Sequence, residues 1–269
     1  MKFALINEDK VEATKGAKGL CPSCDSELIA KCGEVKVNHW AHKGNRNCDQ
    51  WWENETDWHR SWKGNFPVDW QEVVHFDGSG EKHIADVKTQ SGWVLEFQHS
   101  YLNPEERRSR NAFYPKLIWV VDGLRRKTDE SQFQKILKEE GAAVNGKPYI
   151  TQVRFPDECR LLKEWHNSNA LVFFDFQETN FLKQSILWLL FPKDSSGIVY
   201  LSPLSRAELI ESLNNNNFVE LINNRFLLLR KVLASNQKIK NENNVYSRPN
   251  RLSEFDRYMT NKQRRRKRF

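Results

Sequence analysis

Apolar and polar positions alternate in short blocks along the middle of the chain. Residues 51–63 are aromatic and acidic with helical character, and Asn65-Phe66-Pro67 ends that run. Three strand-like runs follow at 68–76, 82–89 and 92–99. Asp77-Gly78-Ser79-Gly80 separates the first two and Gln90-Ser91-Gly92 the second two, both turn chemistry. Pro104 opens a polar helix to about residue 114. Proline suits a first turn, and Glu105 and Glu106 complement the helix dipole. Residues 116–122 read as a buried strand closed by Gly123. Farther on, 171–176 and 198–201 read as strands and 181–191 as a helix. Helices are expected from Arg206 and across 218–234. Residues 1–50 lack long apolar periodicity, and 235–269 are poor in apolar residues, as in a mobile or extended arm. The textures predict four segments, 1–50, 51–150, 151–234 and 235–269, in an α/β protein with a mixed central sheet flanked by helices.

Composition refines this picture. In 269 residues there are ten Trp and sixteen Phe, enough aromatic volume for a core. The longest apolar runs, 170–174 and 186–191, fall far short of a membrane span. The N-terminal apolar stretch stops at Asn7-Glu8-Asp9, so it lacks the apolar region of a secretory signal. A soluble, cytoplasmic protein with no membrane partner is expected. The net charge of +7 is uneven: residues 225–269 hold 14 Lys and Arg against 3 Asp and Glu. Residues 1–224 are therefore net acidic. The terminal run Arg264-Arg265-Arg266-Lys267-Arg268 suits either a solvated tail or a polyanion-binding arm.

Four of the five cysteines, Cys21, Cys24, Cys32 and Cys48, lie in the first fifth of the chain. A cytosolic chain has little use for a disulfide framework. Cys21-Pro-Ser-Cys24 is a C-x-x-C pair, and His39-Trp-Ala-His42 and Cys48 follow closely. Thiolate and imidazole suit tetrahedral zinc, and a bound ion would stabilise a segment too small for a core. Zinc takes four ligands, so one of Cys21, Cys24, His39, His42 and Cys48 is spare, and Cys32 is a further candidate. A thioredoxin-like role for the C-x-x-C would need a strand before it and a helix after it. The segment before it, 11–20, is rich in Lys and Gly.

A second cluster is acidic. Asp86 lies in the strand-like run 82–88, and Glu96 and Gln98 in the next. Positions 96 and 98 share a face of their strand. Ordinary amphipathic alternation would give the same pattern. But the surrounding Ile84, Ala85, Val87, Val94, Leu95 and Phe97 make these strands central. A carboxylate there is costly unless neutralised or bound to a cation. Two carboxylates on adjacent strands suit a hard divalent ion such as Mg2+ or Mn2+.

These residues resemble a known family. The pattern Asp86-(x9)-Glu96-x-Gln98 on a hairpin, behind a helix with Glu55 and His59, is similar to the PD-(D/E)XK nuclease core. The ordered set Cys21-Pro-x-Cys24, His39-Trp-Ala-His42, Glu55-(x3)-His59-(x3)-Lys63, Ala85-Asp86-Val87, Glu96-Phe-Gln98-x-Ser100 and Glu106-Arg107 resembles the competence protein CoiA-like family over about residues 15–125. Val172-Phe-Phe-Asp-Phe176 and Leu187-Trp188 are similar to its C-terminal part. The basic tail lies outside the resemblance.

The resemblance implies a restriction-endonuclease-like domain behind a zinc-binding N-terminal lobe. Asp86 and Glu96 would be its metal-binding carboxylates, with Glu55 completing the site, and His59 and Lys63 would line the cleft. Gln98 would stand where the family's relatives carry a catalytic Lys. It can hydrogen-bond a water but cannot carry charge or act as a base. His99 projects with Leu95 and Phe97, away from Gln98. Arg107 and Arg110 share a helix face and, with Lys63 and the terminal Arg264, Arg265 and Arg266, are candidate phosphate contacts; a solvated helix is the plainer reading of the first two. The expected activity is Mg2+-dependent hydrolysis of single- or double-stranded DNA, in DNA uptake and processing, recombination or defence against foreign DNA, with the C-terminal region as a surface for a protein partner. The other reading is a non-catalytic nucleic-acid-binding or assembly module on a degenerate nuclease fold.

Overall fold

The structure, a computed structural model, describes residues 1–34, 36–44, 48–49, 51, 55–139, 142–143, 150–177, 185–192 and 197–246. Two compact units are distinguished, Met1–Phe226 and Leu227–Phe269.

The first unit contains two sheets. The smaller is antiparallel, with strands β1 (Phe3–Ile6), β2 (Asp9–Glu12), β3 (Lys18–Leu20), β4 (Glu27–Lys31) and β5 (His39–His42) in the order β2-β1-β3-β4-β5. Asn7 and Glu8 both have positive φ (51° and 71°). That is the signature of the two-residue turn whose twist matches a hairpin, and it pins Ile6 opposite Asp9. At Gly19 a Cβ would come within 2.8 Å of the Ala4 Cβ, so β1 and β3 pack closely because position 19 has no side chain. Trp40, Leu28 and Ala4 fill a small core.

The larger sheet has nine strands, ordered β10-β11-β14-β13-β12-β9-β8-β7-β6. These are β6 (Gln71–Phe76), β7 (Lys82–Lys88), β8 (Val94–Gln98), β9 (Leu117–Asp122), β10 (Ala142–Ala143), β11 (Thr151–Val153), β12 (Leu171–Asp175), β13 (Ile186–Leu190) and β14 (Val199–Ser205). The neighbours β8–β9 and β9–β12 are parallel; the other pairs are antiparallel. Helix α2 (Pro104–Phe113) makes the β8-to-β9 crossover, and α3 (Asp129–Glu139) and α4 (Arg160–Trp165) lie between β9 and β12. All six residues of β9 are buried, as a parallel strand with both faces covered requires. The sheet runs through residue 150, so strands from 51–150 and 151–234 form one layer.

Before this sheet stands α1 (Asp57–Lys63), capped by Thr56, whose hydroxyl accepts from the His59 N–H. The described helix is shorter than the predicted 51–63. The predicted helix at 181–191 is corrected: residues 186–190 are a strand. Every position of that strand is apolar, and it pairs with β12 on one side and β14 on the other. Helix α5 (Arg206–Asn214) begins where predicted, capped by Ser205. Helix α6 (Phe218–Tyr246) runs beyond residue 234, so the start of the expected extended arm is helical. Arg264, Arg265 and Arg266 lie outside the described residues.

Gly123 follows β9 and donates its N–H to the Asp175 carbonyl (2.7 Å). A Cβ there would sit 2.5 Å from two carbons of the buried Phe176 ring. Gly123→Ala is expected to cost about 1–3 kcal/mol, the range for overpacking a core, measured by chemical denaturation.

Candidate functional site

Two clusters of side chains, one of sulfur and imidazole and one of carboxylates, face a common cleft in the first unit. The first is sulfur-rich. Cys21 and Cys24 occupy the turn between β3 and β4, His42 ends β5, and Cys48 follows it. A strand, not a helix, follows the C-x-x-C, which removes the topology a thioredoxin-like site needs. The ligand atoms of Cys21, Cys24, His42 and Cys48 all lie within 4.8 Å of one another. Cys21 Sγ is 3.4 Å from Cys48 Sγ, and Cys24 Sγ is 3.4 Å from His42 Nε2. A zinc tetrahedron with bonds of about 2.3 Å has edges of roughly 3.8 Å, so these four can hold such an ion with little movement. His39 is the spare: its Nδ1 bonds the Val37 carbonyl oxygen (2.9 Å), and it stands outside the group. Cys32 points its thiol at the Ala13 carbonyl (3.7 Å). Burial pushes Cys21 up to about 12, with Cys48 adding to the rise. Burial also acts on Cys24, but the hydrogen bonds of Ser26 and His42 outweigh it and bring that thiol down to about 6. Packed together without a cation, the thiols cannot all ionise; a divalent ion relieves this.

The second cluster is acidic. Strand register explains it. Gln71 pairs with Val87 and Val73 with Ala85, while Val87 pairs with Leu95. Glu72, Asp86 and Glu96 therefore occupy one cross-strand row over β6, β7 and β8. The regular ladder between β7 and β8 stops there, and the Phe97 N–H donates instead to Asp86 Oδ2 (3.0 Å). Glu72 adopts a left-handed backbone (φ 47°), which costs a non-glycine residue about 1–2 kcal/mol. The strain is offset by what the side chain reaches: the N–H groups of Lys2 (2.6 Å) and Phe3 (2.9 Å) on β1 and its approach. Sequence reading missed Glu72, because a lone acid in an irregular pairing has no periodic signal.

Lys63, at the end of α1, lies among these acids. Its Nζ is 2.9 Å from Asp86 Oδ1, 3.1 Å from Glu72 Oε1 and 3.1 Å from Glu55 Oε2. Burial alone would favour the neutral amine, but Asp86, Glu55 and Glu72 outweigh it and hold Lys63 well above its ordinary pKa. The same ammonium keeps Asp86 below the usual carboxylate range against the effect of burial. Glu72 is held at about 2: burial opposes ionisation, and Lys63, the N-terminal amine and two backbone N–H groups overcome it. Glu96 differs. Its Oε2 pairs with Arg110 Nη1 (2.9 Å), while its Oε1 is buried without a hydrogen-bond partner. Burial and the nearby Asp86 charge push Glu96 up to about 8 despite Arg110.

Lys63 and Arg110, expected as phosphate contacts, are instead buried counter-charges. Arg110 also bonds Glu106 (2.5 Å) and the Trp51 carbonyl (2.6 Å). Arg107 lies over the Trp165 ring (5.2 Å) and bonds the Glu164 carbonyl. Gln98 is buried but does not line the cleft; its Nε2 donates to the Ser100 carbonyl (3.2 Å). Of positions 86, 96 and 98, the first two line the cleft. His59 donates Nε2–H to the Phe97 carbonyl (2.9 Å), and His99 bonds Asp122 (2.7 Å).

The cleft holds about 70 Å3, room for several waters or one hydrated cation. Asp49, Glu55, Glu72, Asp86 and Glu96 line it against Lys63, Arg110 and the Met1 amine, with His42 and Cys48 of the first cluster on its wall. Asp49 is a further residue that the sequence did not single out. It caps the Ile84 N–H (2.8 Å) and pairs with His83 (2.8 Å), a ring that stacks on Trp51 at 3.3 Å.

Residues 4–50, which carry all four sulfur-cluster ligands, match the family model described as "Competence protein CoiA, N-terminal domain". The likeness to that family model is confined to this N-terminal stretch. It is similar to "Competence protein CoiA" of Bacillus subtilis (strain 168), 24% identical over 171 residues, covering 59% of this chain and 46% of the relative. The match thus spans less than half of that relative's length. No solved structure matches the chain. No described helix is long and apolar enough to cross a membrane.

Two predictions follow from this geometry. Metal analysis of the purified chain should find one zinc per molecule, lost in Cys24→Ser and His42→Ala and kept in His39→Ala and Cys32→Ser. The second concerns Glu96, which binds its proton more tightly folded than unfolded, at about 8 against the usual 4.5. Its contribution to stability is therefore full below about pH 4.5 and erodes as the pH rises toward 8. In thermal melts without divalent ions, Glu96→Gln should match wild type near pH 4 and gain on it steadily up to pH 8.

Proposed function

We propose that the acidic cleft is the metal-dependent active site of a DNA-hydrolysing nuclease of the restriction-endonuclease-like type. The observation that carries the reading is the excess of carboxylates around a cavity of cation size, with two buried oxygens, Glu55 Oε1 and Glu96 Oε1, left without a hydrogen-bond partner. Hard oxygen donors of this kind fit Mg2+ or Mn2+ rather than a soft ion. The β7–β8 hairpin bearing Asp86 and Glu96, followed by a helical crossover to parallel β9, supports the fold assignment.

In this reading Asp86 and Glu96 hold the cation, with Glu55 and Glu72 as the outer carboxylates. The ion would offset phosphate charge and lower the pKa of an attacking water. Lys63 supplies the fixed positive charge that Gln98 cannot, and it reaches the site from α1 instead of from β8. Because Lys63 is held protonated, its part is to stabilise negative charge and orient a water, not to remove a proton. Arg110 keeps Glu96 in place from α2. His59 ties α1 to the β8 backbone at Phe97. The sulfur cluster is structural: it anchors the wall of the cleft beside Asp49. Similarity to a competence protein supports a role in the uptake or processing of DNA.

The second reading, a binding or assembly module without catalysis, is favoured by one feature: Lys63 already neutralises much of the acidic charge without a metal. It predicts salt-sensitive DNA binding through the basic C-terminal segment and no cleavage.

Incubation of the full chain with supercoiled plasmid and with single-stranded circles, with and without Mn2+ or Mg2+, separates the two. Cleavage is expected to need the metal. It should fall at least ~100-fold in Asp86→Asn and Glu96→Gln, the scale for losing roughly 3 kcal/mol of transition-state stabilisation. Lys63→Met should also abolish it, whereas Gln98→Ala should change it little. Cutting that survives in both carboxylate variants would remove the assignment.

A further inference from the structure

The indole N–H groups of Trp58 (3.0 Å) and Trp62 (2.8 Å) donate to the same oxygen, Oδ2 of Asp175. Asp175 is fully buried at the end of β12. Its Oδ1 accepts from the Gln177 N–H (2.8 Å), and its carbonyl accepts from Gly123 (2.7 Å). Both the carboxylate and the backbone of this residue are therefore fixed. Across the Trp62 ring, the Arg206 guanidinium stacks at 4.0 Å and bonds Ser61 Oγ (2.8 Å).

Placing a carboxylate rather than an amide under two indoles is expensive in a sheet interior. Charge-assisted hydrogen bonds are shorter and stronger than neutral ones, so the arrangement gains rigidity. Trp58 and Trp62 are four residues apart and share one face of α1. His59 and Lys63 follow each by one residue and share the next face. Fixing two indoles to one point fixes the rotation of the helix. A side chain reaching roughly 5–6 Å from a helix axis moves about 1 Å for a 10° turn. The Trp62 ring also stacks on Phe97 (5.5 Å, 24° between planes). The Phe97 N–H bonds Asp86, and its carbonyl accepts from His59.

We infer that Asp175 is a positioning residue of the acidic cleft: from β12, two strands away from β8, it sets the rotation of α1 and so delivers Lys63 and His59 to Asp86 and β8. Its effect on catalysis rests on the nuclease reading; its effect on Lys63 does not. The Val172-Phe-Phe-Asp-Phe176 motif thereby acquires a role, because the strand that completes the core also carries the clamp for the helix.

The test uses the full chain labelled with 15N. A buried, ion-paired ammonium exchanges slowly enough to give a proton–nitrogen signal, and Lys63→Met assigns it. Asp175→Ala should broaden or remove that signal and lower metal-dependent cleavage by about 100-fold, the order expected for a 1 Å misplacement. Asp175→Asn, which keeps one acceptor oxygen, should restore part of both. Leu189→Ala is the control. It truncates a fully buried residue of neighbouring β13 and should lower the melting temperature while leaving the Lys63 signal and the cleavage in place. If Asp175→Ala does not fold, Trp62→Phe keeps an aromatic ring at that position, removes the donor and carries the same readouts. A Lys63 signal in Asp175→Ala and Trp62→Phe like that of wild type would overturn the inference. A wild-type protein that cuts no DNA would overturn the nuclease reading instead, and the Lys63 signal would still decide the role of Asp175.

Discussion

A single buried ammonium organises the first unit. Lys63 is 2% exposed, and a charge so enclosed is tolerable only with partners at close range. Three carboxylates supply them, from the approach to α1, from β6 and from β7. Each has its own backbone consequence. Glu72 bends into a left-handed conformation and binds the first strand of the small sheet. Asp86 replaces a rung of the β7–β8 ladder. Glu55 is held at the entrance to α1. The small lobe, the helix and the edge of the large sheet thus meet at one positive charge.

The same arrangement is what the proposal of a cation in the cleft rests on. Lys63 reaches one oxygen of each of its three neighbours, while Glu55 Oε1 and Glu96 Oε1 are both buried without a hydrogen-bond partner. A stability-driven core would hold a neutral residue there or a second donor. Keeping a carboxylate that favours its proton up to about pH 8 is costly, and the cost is explained if the proton stands in for a metal. The sulfur cluster on the cleft wall could hold a softer ion, in a lobe whose strands are only three to five residues long.

Much of this was legible in the sequence. The turns at Asp77–Gly80 and Gln90–Gly92, Pro104 at the start of α2 and the apolar run of β9 mark the centre of the sheet plainly. So do Asp86 and Glu96. The sulfur cluster was legible as a set of candidates, and the fold chose His42 over His39 through the register of β5. Other features had no local signal. The apolar run 186–191 suits a helix as well as a strand by periodicity, and only its two strand neighbours decide. The strands of the small sheet are too short for a periodic pattern. Glu72, Asp49 and Asp175 are isolated acids whose importance comes from distant partners. Lys63 was expected in the cleft but as a phosphate contact, and Arg110 looked like a surface cation, because sequence shows charge but not burial.

The most direct measurement is the anomalous scattering of manganese in crystals of the full chain grown or soaked with Mn2+. The account predicts a peak in the cleft within bonding distance of carboxylate oxygens of both Asp86 and Glu96, with Arg110 or the Glu96 proton displaced to admit it. A cleft without manganese, its acids still closed on Lys63 and Arg110, would contradict the account and leave a scaffold held together by internal ion pairs.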